Sequence, residues 1–246
     1  MADLSKQSND FKSAWYALLS ELITIDGGGD ISSARMLLIS DVKVKIDEMM
    51  PEGEGVQFSV LDQTNITDTL DLYINALLDE SATLLHQVAP IDFIVGKICT
   101  TAPVKTDPED GTGYIELPTD YLRFKSLRMT GWLRDCVELI RPSDPKYKKQ
   151  GNTVTRGGKA KPVCALSERI ISSTLKKVVE YYSLDIGDSH LASKFIYIAN
   201  VTAENVQANL QPALTWICAA KILEITQRPE EAQKAWAAMD KQFANL

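Results

Sequence analysis

A chain of 246 residues, 45% hydrophobic and 24% charged, is long enough to bury a core as one large domain or two small ones. No apolar run approaches the ~20 residues that cross a bilayer. The polar start MADLSKQSND lacks the basic and apolar regions of a secretory leader, so a protein made and kept in a cytoplasm, without a membrane partner, is expected. The net charge of −7 argues against a general nucleic-acid binder, yet it is unevenly placed. Residues 1–100 hold six Lys/Arg against sixteen Asp/Glu, whereas residues 141–161 hold seven basic residues against Asp144 alone. Charge distributed this way is used in contact with a partner.

The periodicity predicts a first helix over residues 11–25, with Phe11, Trp15, Leu18, Leu19 and Leu22 on one face and Asn9 or Asp10 as cap. DGGGD, 26–30, ends it. A second helix is expected from Asp30 as N-cap to Met49, although VKVKI, 42–46, alternates like a strand. PEGEG, 51–55, is a break. The clearest helix runs from Thr67 to Val88, where Leu70, Tyr73, Ile74, Leu77, Leu78, Leu84, Leu85 and Val88 form a broad apolar face opposite acids. Pro90 stops it, and IDFIVGKI, 91–98, reads as a short helix or strand.

The turn-rich stretch 99–113 then gives way to extended candidates: 114–117, 121–129, 136–141, 163–171 and 174–183. Leu117-Pro118-Thr119-Asp120 punctuates the first two, since proline removes a donor and disfavours helix before it. Asp120 is expected to stabilise the turn, and Arg123, Lys125 and Arg128 to form the exposed edge of a strand. Between the third and fourth candidates lies a basic loop, 142–162, too long for a tight hairpin; such loops are functional or disordered. Helices return at 211–226, with Pro212 in the first turn, and at 229–243, both rich in alanine for close helix packing. The expected fold class is α+β: a mainly helical body, 1–112 with 190–246, carrying a small antiparallel β module inserted at 113–189.

Catalytic signals are weak. His86 sits among leucines on a helix with no nucleophile or carboxylate beside it, as a core or boundary histidine does. In GDSHLAS the neighbours Asp188, Ser189 and His190 cannot point at one another in relay, and no GxSxG elbow is present. TRGGKAKP, 155–162, lacks phosphate-loop spacing, DPEDGTG, 107–113, lacks the ligands of a calcium loop, and Gly27–Gly29 do not open a dinucleotide fold. Cys99, Cys136, Cys164 and Cys218 are widely spaced and read as four separate thiols rather than a zinc or disulfide framework. No enzyme, cofactor or metal is expected. The one constellation above background is the basic loop, whose Lys146, Lys148, Lys149, Arg156, Lys159 and Lys161 are the candidate partner-binding residues. Its alternatives are a solvated loop, an interface to acidic protein, or a DNA-binding or regulatory module.

Three stretches carry a resemblance: ITDTLDLYINALLDESATLLHQVAP (66–90), YIELPTDYLRFKSLRMTGW (114–132) with its strand, Leu-Pro-x-Asp-aromatic-Leu-Arg, strand pattern, and the closing residues 210–246. On these the chain resembles the head-to-tail adaptor (connector, or neck ring) proteins of tailed bacteriophages, of podovirus-like or crAss-like type. Residues 1–65 and the long basic loop depart from that pattern. The resemblance implies a virion structural protein at the neck or portal vertex, forming a ring, typically dodecameric, beneath the portal. Such a ring extends the DNA channel and offers a platform to the tail. The implied partners are copies of itself, the portal protein, downstream tail or neck ring proteins, and DNA passing without sequence specificity. Acidic helices facing a channel would avoid gripping moving DNA, and the basic loop would fix register against a neighbouring subunit or the portal.

Overall fold

The computed structural model describes residues 32–51, 66–107, 111–185 and 187–244. The helix expected at 11–25, the Asp30 cap, the glycines at 27–29 and most of PEGEG lie outside them. Helix α1, Ser33–Met49, is capped by Ser32, whose hydroxyl accepts from the Arg35 amide at 3.2 Å. Helix α2 covers Ile66–Val88. A 3-10 turn at Ile91–Phe93 leads to β1 (Lys97–Ile98), then β2 (Val104–Asp107), β3 (Thr112–Glu116), β4 (Tyr121–Met129) and β5 (Leu139–Ile140). Helix α3, Pro145–Lys149, interrupts the strands before β6 (Cys164–Ile171), β7 (Thr174–Tyr181) and β8 (Ala192–Ala199). Helices α4, Gln211–Ile225, and α5, Pro229–Ala244, close the chain.

The chain divides into two compact units, with divisions at Leu85/His86 and Asn200/Val201. In the helical unit, α4 is buried nearly all round, from Ala213 to Leu223, as a helix without a polar face must be. Leu38, Ile39, Val42 and Ile46 of α1, Ile74, Leu77 and Leu78 of α2, and Ala232, Ala235 and Met239 of α5 supply further core. Arg35 ties this unit together: its guanidinium donates to the Asn75 carbonyl at 2.8 Å, to Asp79 at 3.2 Å and to Glu204 at 2.9 Å. Asp79 in turn accepts the Ala203 amide at 2.8 Å.

The second unit, residues 86–200, overturns the expectation of a small antiparallel module on a mainly helical body. It holds two sheets, ordered β1-β8-β4 and β2-β3-β7-β6-β5, and the β5–β6 pairing is parallel. Eight strands are found among the described residues. The expectation undercounts them because β1 is two residues long and β2 is exposed, neither giving a period to read. ASKFIYIA of β8, though rich in strand-forming residues, lies within 190–246, expected as part of the helical body. Ile115, Val179 and Tyr181 of one sheet and Leu127, Met129, Phe195 and Tyr197 of the other bury into one core with Trp132. Leu117–Asp120 is where the chain passes between the sheets: the Leu117 amide still bonds Lys177 of the five-stranded sheet at 3.1 Å, and Tyr121 then opens β4 of the other.

Asp120 does more than hold that turn. Its carboxylate accepts from Lys97 at 2.6 Å and from the Tyr197 hydroxyl at 2.8 Å, and its carbonyl accepts the Asn200 amide at 2.7 Å. Nor do Arg123 and Lys125 form an exposed edge. Arg123 donates to the His86 and Ala89 carbonyls at 3.0 and 2.8 Å, satisfying groups that a helix end leaves open, and Lys125 donates to the Ile94 carbonyl at 2.6 Å. Only Arg128 is exposed, and it pairs with Asp135 at 3.6 Å. Gly113, in β3, lies against the Tyr181 ring so closely that a Cβ there would collide with it.

Candidate functional site

Residues 142–162 form a folded lobe. Asp144 caps α3 by accepting the Lys146 amide at 2.8 Å, and Pro145 fits the first helical turn, where no amide bond is lost. The helix is one turn long and is held from below. The Tyr147 hydroxyl donates to Glu180 at 2.9 Å; Gln150 is buried, donating to the Lys146 carbonyl at 2.9 Å and accepting the Gly157 amide at 3.1 Å. The second half of the lobe is tied down by the Val163 amide on the Ser183 hydroxyl at 2.9 Å, and by the Leu133 amide on the Lys159 carbonyl at 3.1 Å.

These anchors sort the six candidate residues. Lys159 pairs with both Asp185 and Asp188 at 2.7 Å, and Arg156 donates to the Leu184 carbonyl at 3.4 Å, so both serve the lobe's own fold. Lys146, Lys148 and Lys149 on α3, and Lys161 beyond it, are exposed and make no ion pair among the described residues. Lys146 and Lys149 share one side of the helical turn, and Lys148 projects from another. The structure therefore displays three ammonium groups, without an ion pair among the described residues, on two sides of a one-turn helix.

The anchor beneath α3 was not among the candidates. Glu180, on β7, is only 3% exposed. One of its oxygens takes Arg169 Nε at 2.8 Å and Nη2 at 2.7 Å, and the other takes the hydroxyls of Tyr147 and Tyr182. The Arg169 guanidinium lies 5.1 Å over the Tyr114 ring, and Tyr147 meets Tyr182 edge-on. Burial by itself would raise the Glu180 carboxyl; the bonds from Tyr182, Arg169 and Tyr147 hold it below its ordinary value, so it is a carboxylate. Burial raises the Tyr147 and Tyr182 hydroxyls, keeping them donors. A carboxylate with both oxygens doubly engaged and almost no exposure ties the lobe to the sheet. The sequence signal for it was a glutamate inside the apolar run VVEYY, where a charge needs a partner.

The histidines are placed in structural surroundings. His86 is 4% exposed, with Nδ1 3.2 Å from the Ala199 carbonyl, and burial lowers its pKa. His190 Nδ1 lies 2.8 Å from the Tyr181 hydroxyl, while Asp188 is engaged by Lys159. Among the described residues no three His, Cys, Asp or Glu side chains converge on a metal-sized site, and no helix is long and apolar enough to cross a membrane. The four cysteines are buried free thiols, and the Cys136 thiol donates to the Glu138 carbonyl at 3.2 Å.

No protein-family model matches the chain, and no curated protein does. What the lobe does has to be read from its own geometry and charge.

Proposed function

We propose that the chain is a structural adaptor of a tailed-phage virion, a ring protein of the neck whose basic lobe engages acidic protein surface. The observation that carries this reading is the division of charge along the division of the fold. Residues 86–200 hold 17 Lys/Arg and 13 Asp/Glu, net +4, while the rest of the chain holds 9 and 20, net −11. A head-to-tail ring needs two different, complementary surfaces on each subunit. Opposite charge on two compact units provides them, fixing register and suppressing wrong partners. The exposed Lys146, Lys148 and Lys149 are the complementary groups on the basic side, and the resemblance at residues 66–90, 114–132 and 210–246 points the same way.

The test is the mass distribution of the intact protein by mass photometry and sedimentation, at low and raised salt, for wild type and for Lys146→Gln/Lys148→Gln/Lys149→Gln. Wild type is expected to assemble into a large closed species that salt weakens, and the triple variant to stay folded and monomeric. A second reading rests on the same three ammonium groups, which also suit phosphates: a regulatory DNA-binding module. A wild type that stays monomeric at every concentration, yet binds duplex DNA with affinity falling steeply with salt, would replace the adaptor reading with that one.

A further inference from the structure

We propose that the outward side of α1 is the docking surface for the basic lobe of a second copy of this chain; the inference rests on the ring reading and names the acidic surface that the lobe engages. Helix α1 buries Leu38, Ile39, Val42 and Ile46. At about 3.6 residues per turn, Leu37 and Val44 fall opposite them, two turns apart along one line. They are 67% and 50% exposed, and Met36 beside them is exposed as well. An ordinary surface helix is polar on the side away from its core, so apolar side chains here lie where a partner would cover them. Asp41 and Asp47, both exposed, flank the line on either side and make no ion pair among the described residues. The cations of α1 are engaged elsewhere: Lys43 with Asp71, Lys45 with Glu48 at 2.6 Å, and Arg35 with Asp79 and Glu204. The outward side is therefore an apolar line between two carboxylates.

Charge selects the occupant. The stretches on either side of α1 that lie outside the described residues are acidic themselves: residues 1–31 hold two Lys/Arg against five Asp/Glu, and residues 52–65 hold three acids and no base. Neither complements this side of the helix. The basic lobe does, in two respects. Lys146, Lys148 and Lys149 supply ammonium groups, and Val154, 89% exposed, supplies an apolar side chain beside them. Val154 is held near the end of α3, because Asn152 Oδ1 accepts its amide at 2.9 Å and the Thr155 hydroxyl donates to the Lys149 carbonyl at 3.0 Å. Apolar side chains then meet at the centre of the contact and ammonium groups meet carboxylates around them, which is how a protein interface divides core from rim. One surface belongs to the helical unit and the other to the β unit, and they are unlike, so the contact between copies is head-to-tail. Each copy keeps one surface open until the ring closes.

The experiment mixes two full-length variants that each lack one surface. Lys146→Gln/Lys148→Gln/Lys149→Gln removes the charges of the lobe and keeps α1, whereas Asp41→Asn/Asp47→Asn keeps the lobe. By mass photometry and sedimentation at low salt, each alone should be monomeric. An equimolar mixture should give species of two chains and nothing larger, because one contact forms and both remaining surfaces are blocked. Leu37→Gln/Val44→Gln should behave as the asparagine variant does. Carbodiimide coupling of wild type, made from equal parts of heavy-nitrogen and ordinary chains, should join Asp41 or Asp47 to a lobe lysine in linked peptides that carry both isotopes. A wild type that assembles, with Asp41→Asn/Asp47→Asn assembling equally well, would overturn this inference and leave the ring reading standing; a wild type that stays monomeric would overturn both. Links from Asp41 or Asp47 to Lys6 or Lys12, or to lobe lysines of the same chain only, would show the helix covered by its own chain and overturn the inference as well. Wild-type coupling decides the matter even if a variant fails to fold.

Discussion

Glu180→Gln tests whether the buried carboxylate holds the lobe and sheet together. In the wild type one oxygen serves two Arg169 nitrogens and the other serves two tyrosine hydroxyls. Glutamine offers a single oxygen. Turned toward Arg169, it leaves an amide N–H₂ facing Tyr147 and Tyr182, whose hydroxyls can rotate to accept but then lose charge-assisted bonds. The ion pair also becomes a neutral-acceptor bond. Breaking a fully buried pair costs about 3–5 kcal/mol. The Arg169 side chain is 34% exposed against 4% for Glu180, so the guanidinium keeps some water and the cost falls to about 2–3 kcal/mol. Hydrogen exchange in peptides covering β6 and β7 follows the β unit by itself. There the loss corresponds to roughly 30- to 150-fold faster exchange of the slowest amides. Tyr147→Phe removes one of the four bonds, so it should speed exchange over 145–150 with a much smaller effect on β7, about 1 kcal/mol. A change below about threefold in β7 for Glu180→Gln would refute the reasoning, because a saturated buried carboxylate cannot be lost at so little cost.

Further outcomes follow from other groups. Because the Glu180 carboxyl is held below its ordinary value of 4.5, its contribution is present above that pH and lost as pH falls through the lower folded value. The gap between wild type and Glu180→Gln in β7 exchange should accordingly close on acidification below 4.5. The β6–β7 hairpin turns through Ser172 and Ser173 at φ 50° and 65°, with Ile171 paired to Thr174. Asn-Gly suits both positive values, so Ser172→Asn/Ser173→Gly should stabilise the β unit by about 0.5–1 kcal/mol, seen as slower exchange in the hairpin. In the helical unit, Arg35→Met leaves Asp79 and Glu204 without their cation and should cost about 2 kcal/mol, since both carboxylates are partly solvated. Exchange in α1 would report it.

What the sequence makes legible depends on how local the cause is. The apolar face of α2 and Pro212 in the first turn of α4 are properties of single segments, and both helices form where their patterns place them. VKVKI looks like a strand because three apolar residues alternate. Val42 and Ile46 are fully buried and Val44 is half exposed, so the governing period is i, i+4, set by Leu38 and Ile39 a turn earlier. β1 is not legible in the sequence because it exists only through its pairing with β8. The Glu180 anchor is non-local in the same way: Tyr147 is 33 residues away and Arg169 is 11, and no spacing rule links them. The basic loop was visible as charge, but which of its cations are already spent depends on Asp185 and Asp188, downstream of the loop.

That last distinction makes the lysines separable by experiment. Net charge falls by one whether Lys148 or Lys159 is replaced by Gln, so any effect of charge alone must be shared by the two variants. The structure assigns them different work. Lys159 joins Asp185 and Asp188, which hold the β7–β8 connection, and its carbonyl accepts the Leu133 amide. Its loss leaves two carboxylates near each other without a cation, so the lobe should loosen and exchange faster over 155–163 and 184–190. Lys148 pairs with no carboxylate among the described residues, so its replacement should leave exchange throughout the β unit unchanged and show only in partner binding. Its effect on assembly should also fade with added salt, as an exposed charge acting at a distance does. High salt should instead leave the exchange defect of Lys159→Gln in place, because the bonds it breaks are within the fold. If both variants weakened assembly equally and neither altered exchange, the lobe would be a diffuse patch of charge and the display of Lys146, Lys148 and Lys149 on α3 would carry no weight.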